Sequence, residues 1–391
     1  MEAVGAPDIR GLPRIIFGAG AFSGLGQIIQ PFGSRALIVT GGESLAKSGR
    51  LDTLERLLDQ ARIDYSVVSV RGEPTAQSID AVAGEFRGAA LRVVVAVGGG
   101  SAIDCGKAVS AMLTETGSVK DYLEEVGNKK PSGTKLPFIA VPTTAGTGSE
   151  ATKNAVVCDR TAGYKKSLRH DAYMPDVALV DPELTLSCPR HITIACGLDA
   201  VSQLIESHTS AKADVSLDSL TLKALSAAFS SFLPLALDKS NDIALRTGMS
   251  YAALISGIAV GRAGLGAVHG LAGPVGGLIP IPHGVACGKL LFPVMSFVVK
   301  KVIDEENMAA RKRFADIGRL LGEDADQDDV FYCRQFLSVL HKWIQALRLP
   351  KLSYFGMTAA HMKKAIEQAS SKNSPALLSP EEMKVILEIV R

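Results

Sequence analysis

The stretch LRVVVAVGGGSAIDCGKAVSAML, residues 91–113, decides the fold. Apart from Arg92, its first seven residues are apolar, the composition of a central parallel strand covered on both faces. The run breaks into Gly98, Gly99, Gly100 and Ser101 and resumes as a helical pattern to Leu113. Glycines let backbone N–H groups close on a phosphate, and the N-terminus of the following helix adds a positive dipole, so this turn suits a pyrophosphate. Its spacing is neither GxGxxG nor a Walker loop, and a tight strand-to-helix turn holding no ligand is the alternative reading.

The same grammar continues on both sides. Downstream, PFIAVPTTAGTGSE at 137–150 is a second buried strand running into Thr143, Thr144 and Thr147, whose hydroxyls and neighbouring amides face a ligand at the carboxyl edge of a sheet, where open α/β proteins bind nucleotides. Upstream, residues 35–40 form a short apolar run that ends at Gly41 and Gly42; a helical pattern over 45–63, a second run at 65–70 and a helix over 79–90 follow. Residues 14–18 open the ordered part in a glycine-rich entry. Strand, glycine turn, helix, strand predicts a doubly wound parallel sheet. From residue 187 onward strand-like runs give way to helical patterns over 193–210, 216–237, 242–261, 302–321, 329–347, 358–371 and 380–390. The expected organisation is a dinucleotide-binding α/β domain over residues 1–187 and an all-helical metal and substrate domain over 188–391.

At 391 residues the chain exceeds what one core usually serves, and 47% hydrophobic residues supply ample interior for two. The 42 Lys and Arg residues against 40 Asp and Glu leave a net charge of +2, and no dense basic run interleaves with aromatics, which argues against nucleic acid as a partner. Six cysteines occur without a CxxC pair, and no charged-then-apolar leader stands before Gly11, so a reduced cytoplasmic setting is expected. Residues 263–282 are almost wholly apolar or small, but six glycines, three prolines and a histidine make them a poor membrane span and a better buried functional segment.

That segment carries His269, one member of a second constellation. Asp199 and Gln203 are four apart on a predicted helix and share one face; His269 and His283 follow, each beside glycine and set among apolar residues. A carboxylate and two imidazoles in such surroundings suggest one buried metal ion; the alternative is a satisfied core Asp and two helix-end histidines. His208, nine residues from Asp199, falls about half a turn out of phase at ~100° per residue and is expected to face away. His170 reads as surface, and His191, His341 and His361 carry no motif.

Four motifs in order, GGGSAID at 98–104, PTTAGTGSEAT at 142–152, PDVALVDPELT at 175–185 and GLDAVSQLIE at 197–206, together with HG at 269 and PHG at 282–284, resemble the iron-containing, or group III, alcohol dehydrogenase family over nearly the whole chain. The resemblance implies a dehydroquinate synthase-like fold, a cleft holding a nicotinamide and one divalent metal (Fe2+ or Zn2+), and interconversion of an alcohol with an aldehyde or ketone; a homodimer is the expected assembly. It places Gly99, Gly100 and Ser101 at the pyrophosphate, Asp104 at the helix start behind it, Thr143, Thr144 and Thr147 along the nucleotide, and Lys165 on the ribose side. It makes Asp199, His269 and His283 metal ligands, acting in catalysis through the metal, with Gln203 at the fourth ligand position.

Two positions depart from the family pattern. Gln203 stands where a histidine is common, and a glutamine ligates only through its neutral amide oxygen, which weakens iron. Gly273 stands where HxxxH is common, so the alcohol proton must leave through metal-bound water, the cofactor ribose or another group. The altered ligand set leaves open a metal-free reductase of the maleylacetate reductase type, a lyase-type relative, for which Arg262 is a candidate anion-binding residue, and a nucleotide-binding protein without turnover. For the cofactor, Gly41 and Gly42 follow Val39-Thr40 where an acidic residue commonly excludes a 2′-phosphate, and Glu43 is expected to face solvent, so NADP is expected to be accepted beside NAD.

Overall fold

The computed structural model describes residues 11–159, 162–322 and 326–391. Its strands, among those residues, are β1 (Arg14–Phe17), β2 (Arg35–Gly41), β3 (Asp64–Val70), β4 (Val93–Gly98), β5 (Phe138–Pro142), β6 (Asn154–Asp159), β7 (Tyr164–Arg169) and β8 (Val177–Val180). Six of them form one parallel sheet in the order β1-β8-β5-β4-β2-β3, the doubly wound arrangement expected from the repeated strand, turn and helix. Every residue of β4 is buried. Its side chains alternate between two apolar clusters: Val94 and Ala96 pack with Leu37, Ile103 and Phe138, and Val93, Val95 and Val97 pack with Ile38, Ile139 and Leu179. Burying each such valine or isoleucine contributes about 1.5–3 kcal/mol, which is why the central strand can lack polar residues altogether.

Register does the positioning. β4 and β5 run in step from Val94 opposite Phe138 to Gly98 opposite Pro142, so both strands end level and their two turns emerge side by side. The Thr143 N–H donates to the Gly98 carbonyl at 2.9 Å, tying one turn to the other.

The chain divides into two compact units, residues 11–189 with 241–250, and residues 190–240 with 251–391. In the second, the helix Arg190–Thr209 is buried on nearly every side. Two further helices, Ala267–Leu278 and His283–Asp304, occupy most of the stretch 262–301 that periodicity left without a helix. Glycines make their approach possible: a Cβ on Gly284 would lie 1.8 Å from the Ala195 carbonyl oxygen, and one on Gly288 would lie 2.3 Å from Leu198 Cδ1. Helical patterns 215–237 and 243–263 have the length and hydropathy of membrane spans, yet each has about half of its window buried within the protein, as core helices do.

Several boundaries differ from expectation for local reasons. The pattern over 45–63 is split into helices Ser44–Lys47 and Arg50–Gln60 by Gly49, whose φ is +69°. The pattern over 302–321 is also two helices: His283–Asp304 ends at the turn through Glu306, and Asn307 accepts from the Ala310 N–H to start Met308–Arg319. Residues 154–159 and 164–169 pair antiparallel as β6 and β7, and the lysine-rich second strand carries no apolar alternation to announce it.

Candidate functional site

The glycine turn comes first. β4 ends at Gly98, and the 13-residue helix Gly100–Met112 begins at once, with no side-chain cap on its first N–H groups. Gly100 is glycine because the threonine loop leans on it: a Cβ there would lie 2.7 Å from Thr147 Cγ2. Gly99 faces Thr144, whose Oγ1 would be 3.3 Å from a Cβ. Gly99, Gly100, Ser101, Thr143, Thr144 and Thr147 therefore come together at one edge of the sheet, each at least partly open to solvent.

Asp104 and Lys165 both have protein partners. The Asp104 carboxylate accepts from Ser149 Oγ and from the Val156 N–H at 3.0 Å, and its burial pushes its pKa up. Next to it the buried Lys107 ammonium donates to the Ser149 and Asn154 carbonyls, both at 2.8 Å, and to Thr152 Oγ1 at 3.2 Å. Desolvation lowers Lys107 to about 8 and raises the neighbouring Glu150 to about 7. Asp104 thus clamps the threonine loop and the hairpin to the turn helix. Lys165 lies on β7, where its Nζ is 2.5 Å from Glu73 Oε1.

Gly41 closes β2, and the Gly42 N–H, at a φ of +48°, donates to the Val70 carbonyl at 2.8 Å. Glu43 accepts from Arg71 Nη2 at 3.0 Å and pairs with Lys47 Nζ at 2.9 Å, all three side chains being exposed.

The helical unit gathers Asp199, His269 and His283, residues far apart in sequence, on three helices. His269 Nε2 is 3.1 Å and His283 Nε2 is 3.7 Å from Asp199 Oδ1, and the two imidazole rings are 5.4 Å apart at 55°. Cys287, one turn past His283, completes the group: one ligand atom from each of Asp199, His269, His283 and Cys287 lies within 4.8 Å of the others. Gln203 stands beside it as a hydrogen-bonding neighbour. Its Nε2 donates to Asp199 Oδ1 at 3.3 Å, while its Oε1 accepts from Ser256 Oγ at 2.7 Å.

Glu206 sits behind His269. Its Oε1 accepts from the Val268 N–H at 2.6 Å, and its Oε2 lies 2.6 Å from His269 Nδ1, so it caps the helix Ala267–Leu278 and holds the imidazole with Nε2 toward Asp199. Neither Cys287 nor Glu206 was singled out by motif. The available signal was spacing: Glu206 is seven residues past Asp199 and Cys287 four past His283, each on the same helical face. Arg262 is exposed in the last turn of Ile243–Ala263, and a Cβ on Gly273 meets nothing within 4 Å.

The electrostatics of the cluster call for positive charge. Burial alone would lower His269, but Cys287, Asp199 and Glu206 outweigh it and leave the imidazole well above its usual pKa. Cys287 is the largest influence raising His283. Burial would raise Asp199 and Cys287, yet both are held below their ordinary values by the two imidazoles. Two buried carboxylates and a thiol around two imidazole nitrogens suit a divalent cation, which takes the place of the imidazole protons.

A parallel α/β unit with a glycine turn at the end of its central strand, in one chain with a helical unit that buries this cluster, has the dehydroquinate synthase-like fold. The chain belongs to the iron-containing alcohol dehydrogenase family: the family model of that description matches residues 13–182, and that of the family's C-terminal domain matches residues 193–390. It is 33% identical over 377 residues to the probable alcohol dehydrogenase EutG of Escherichia coli, covering 95% of this chain and 91% of that protein. It is 30% identical over 314 residues to the NAD-dependent methanol dehydrogenase of Bacillus methanolicus, covering 80% and 79%. A solved 1,3-propanediol oxidoreductase superposes with a TM-score of 0.87 at 28% identity, covering 97% of this chain and 98% of that one. The chain is accordingly an alcohol dehydrogenase, an oxidoreductase of the alcohol–aldehyde couple that uses a nicotinamide cofactor.

Proposed function

We propose that this chain oxidises short alcohols or diols, and reduces the matching aldehydes, with one divalent cation held by Asp199, His269 and His283 and with NAD or NADP seated on the turn at Gly99, Gly100 and Ser101. The observation that carries the metal is the convergence of three donors from three helices with a carboxylate, Glu206, behind one imidazole. When bound, a divalent cation supplies Lewis acidity toward the alcohol or carbonyl oxygen, and the nicotinamide supplies the hydride acceptor or donor. The chain's own groups do the holding. Glu206 fixes the His269 tautomer, so that the Nε2 lone pair is the one presented beside Asp199. The helix Gly100–Met112 offers its first N–H groups to a pyrophosphate, and Thr144 and Thr147 line the adjoining loop. Two of the similar proteins, named for methanol and 1,3-propanediol, support short alcohols and diols.

A 2′-phosphate also fits this chain. A side chain at Gly41 is absent, Glu43 is engaged by Arg71 and Lys47, and those two cations flank the end of β2. Of the metal-dependent and metal-free alternatives, the gathered donor set favours the first.

The test pairs metal analysis of protein purified without added metal with a panel of short alcohols, diols and aldehydes. About one divalent ion per chain and activity lost on chelation are expected, with His269→Ala and His283→Ala each losing most of both. Full activity after exhaustive chelation, in protein free of metal, would exclude the metal-dependent reading.

A further inference from the structure

We propose that Cys287 Sγ is the fourth protein donor of the metal centre, filling the position that Gln203 leaves, and that this thiolate-containing set takes zinc in preference to ferrous iron. The inference rests on the metal-dependent reading above. Gln203 is committed elsewhere: its one lone-pair donor, Oε1, accepts from Ser256, and only its N–H groups turn to Asp199. Cys287 is fully buried, and its sulfur is 3.5 Å from His269 Nε2, 3.6 Å from His283 Nε2 and 3.9 Å from Asp199 Oδ1.

Those distances are the edges of a coordination polyhedron. With zinc bonds of about 2.0–2.1 Å to nitrogen or oxygen and about 2.3 Å to sulfur, a tetrahedron has edges of about 3.4 Å between two N or O donors and about 3.6 Å between nitrogen and sulfur. The two N–O edges here are 3.1 and 3.7 Å, and the two N–S edges are 3.5 and 3.6 Å. The S–O edge is longer, 3.9 Å, and all four donor atoms lie within 4.8 Å of one another, so the four surround one point close to ligating separations. The backbone explains why. Gly284 and Gly288 bring the helix His283–Asp304 against Ala195 and Leu198, and Cys287 lies between them on the side facing Asp199.

Metal binding by Cys287 breaks the S–H bond and forms the S–metal bond. The proton passes to solvent, and no oxidation state changes. A thiolate is a soft donor, and zinc exceeds ferrous iron in affinity for nitrogen, oxygen and sulfur sites in general, so exchanging an imidazole for a thiolate moves selectivity further toward zinc. The family's name fixes no metal for this chain.

Cobalt(II) alone is the probe, titrated into chelator-stripped full-length protein and followed in the near ultraviolet, where thiolate-to-cobalt charge transfer absorbs. One equivalent bound with that band is expected for the wild type and for Gln203→Ala. Cys287→Ser should bind cobalt without the band and at least about tenfold more weakly, since even loss of an outer-shell partner costs about 10–100-fold. X-ray absorption of zinc-loaded wild type, with one sulfur scatterer in the ligand shell, checks the same point if Cys287→Ser does not fold. Competition between zinc and ferrous iron under anaerobic conditions should leave zinc bound. One equivalent of cobalt in the wild type with no charge-transfer band overturns the sulfur ligand and leaves the Asp199, His269, His283 centre standing. Failure to bind cobalt at all overturns both.

Discussion

Glu206 Oε2 lies 2.6 Å from His269 Nδ1, while Glu206 Oε1 accepts the Val268 N–H at the same distance. One buried carboxylate thus orients the His269 imidazole and caps the helix that bears it, and the two tasks separate by mutation. Glu206→Gln keeps an oxygen for the Val268 N–H but removes the charge behind His269. Metal affinity, measured by competition with a chromophoric chelator, should fall about 10–100-fold, the usual cost of an outer-shell partner. Thermal stability should move far less than in Glu206→Ala, which also leaves buried N–H groups unpaired at about 1–3 kcal/mol. Equal metal affinity in wild type and Glu206→Gln would show that the carboxylate acts only as a cap.

Gly284 brings the helix His283–Asp304 against the Ala195 carbonyl of Arg190–Thr209. In an ordinary helix alanine outdoes glycine by about 1 kcal/mol, but a Cβ at 284 would meet the Ala195 oxygen at 1.8 Å, so the helices must part. Gly284→Ala is expected to cost about 1–3 kcal/mol, as overpacking does, and to weaken metal binding because His283 and Cys287 ride on the displaced helix. Gly261→Ala is the control: it is an exposed helical position with nothing within 4 Å of its Cβ, and it should stabilise slightly. Unchanged melting temperature and metal affinity in Gly284→Ala would refute the packing argument.

The strand, turn and helix around residues 93–112 were legible because burial on both faces of β4 leaves only apolar residues, and the glycines follow from the close approach of Thr144 and Thr147. Asp199, His269 and His283 were legible as residue types in an apolar setting. What lay beyond reach were partnerships decided between distant segments. The alternation of polar and apolar residues says nothing of Ser256, which takes up the Gln203 oxygen from 53 positions away, or of Ser149 and Val156, which occupy Asp104. Cys287 was only one of six cysteines until the helix starting at His283 put it a turn away on the same face.

His208 should make stability fall in mild acid. Its Nδ1 pairs with Thr221 Oγ1 at 2.9 Å, and its Nε2 has no hydrogen-bond partner among the described residues. Burial lowers its pKa to about 4, with Asp218 and Asp316 opposing and Arg313 and Lys312 reinforcing the shift. In the unfolded chain the ring titrates near 6.5, so between about 6.5 and 4 the unfolded state binds the extra proton. The stability that His208 contributes is therefore complete above about pH 6.5 and is lost as pH falls toward 4, on the order of 3 kcal/mol at 1.36 kcal/mol per unit. Urea midpoints measured from pH 7.5 to 4.5 should show this slope, and His208→Gln should flatten it. An equal slope in both proteins would assign the acid sensitivity to other groups.

We predict that cofactor choice turns on the end of β2. A carboxylate there accepts from the adenine ribose 2′-hydroxyl and repels a 2′-phosphate, and Gly41 supplies none. Glu43 is near enough to be suspected, but its two oxygens are occupied by Arg71 and Lys47, so its charge is already balanced. The β2–β3 register sets Gly41 opposite Val70, which brings Arg71 to the same edge as a second cation beside Lys47. NADP should therefore be accepted and preferred over NAD. Because both cations are exposed, that preference should shrink as ionic strength rises past about 0.15 M, where screening acts within about 8 Å. Arg71→Ala should lower kcat/KM for NADP about tenfold, the size of one charge-assisted hydrogen bond, and leave NAD almost unchanged. Gly41→Asp should reverse the preference, and it has room to do so, since a Cβ at 41 meets Ala102 Cβ at an ordinary 3.6 Å. The deciding measurement is the ratio of kcat/KM for the two cofactors. A wild-type preference for NAD above about a hundredfold, roughly 2.7 kcal/mol at 1.36 kcal/mol per decade, would mean that Glu43 excludes the phosphate despite its two partners, and Glu43→Ala should then relax it.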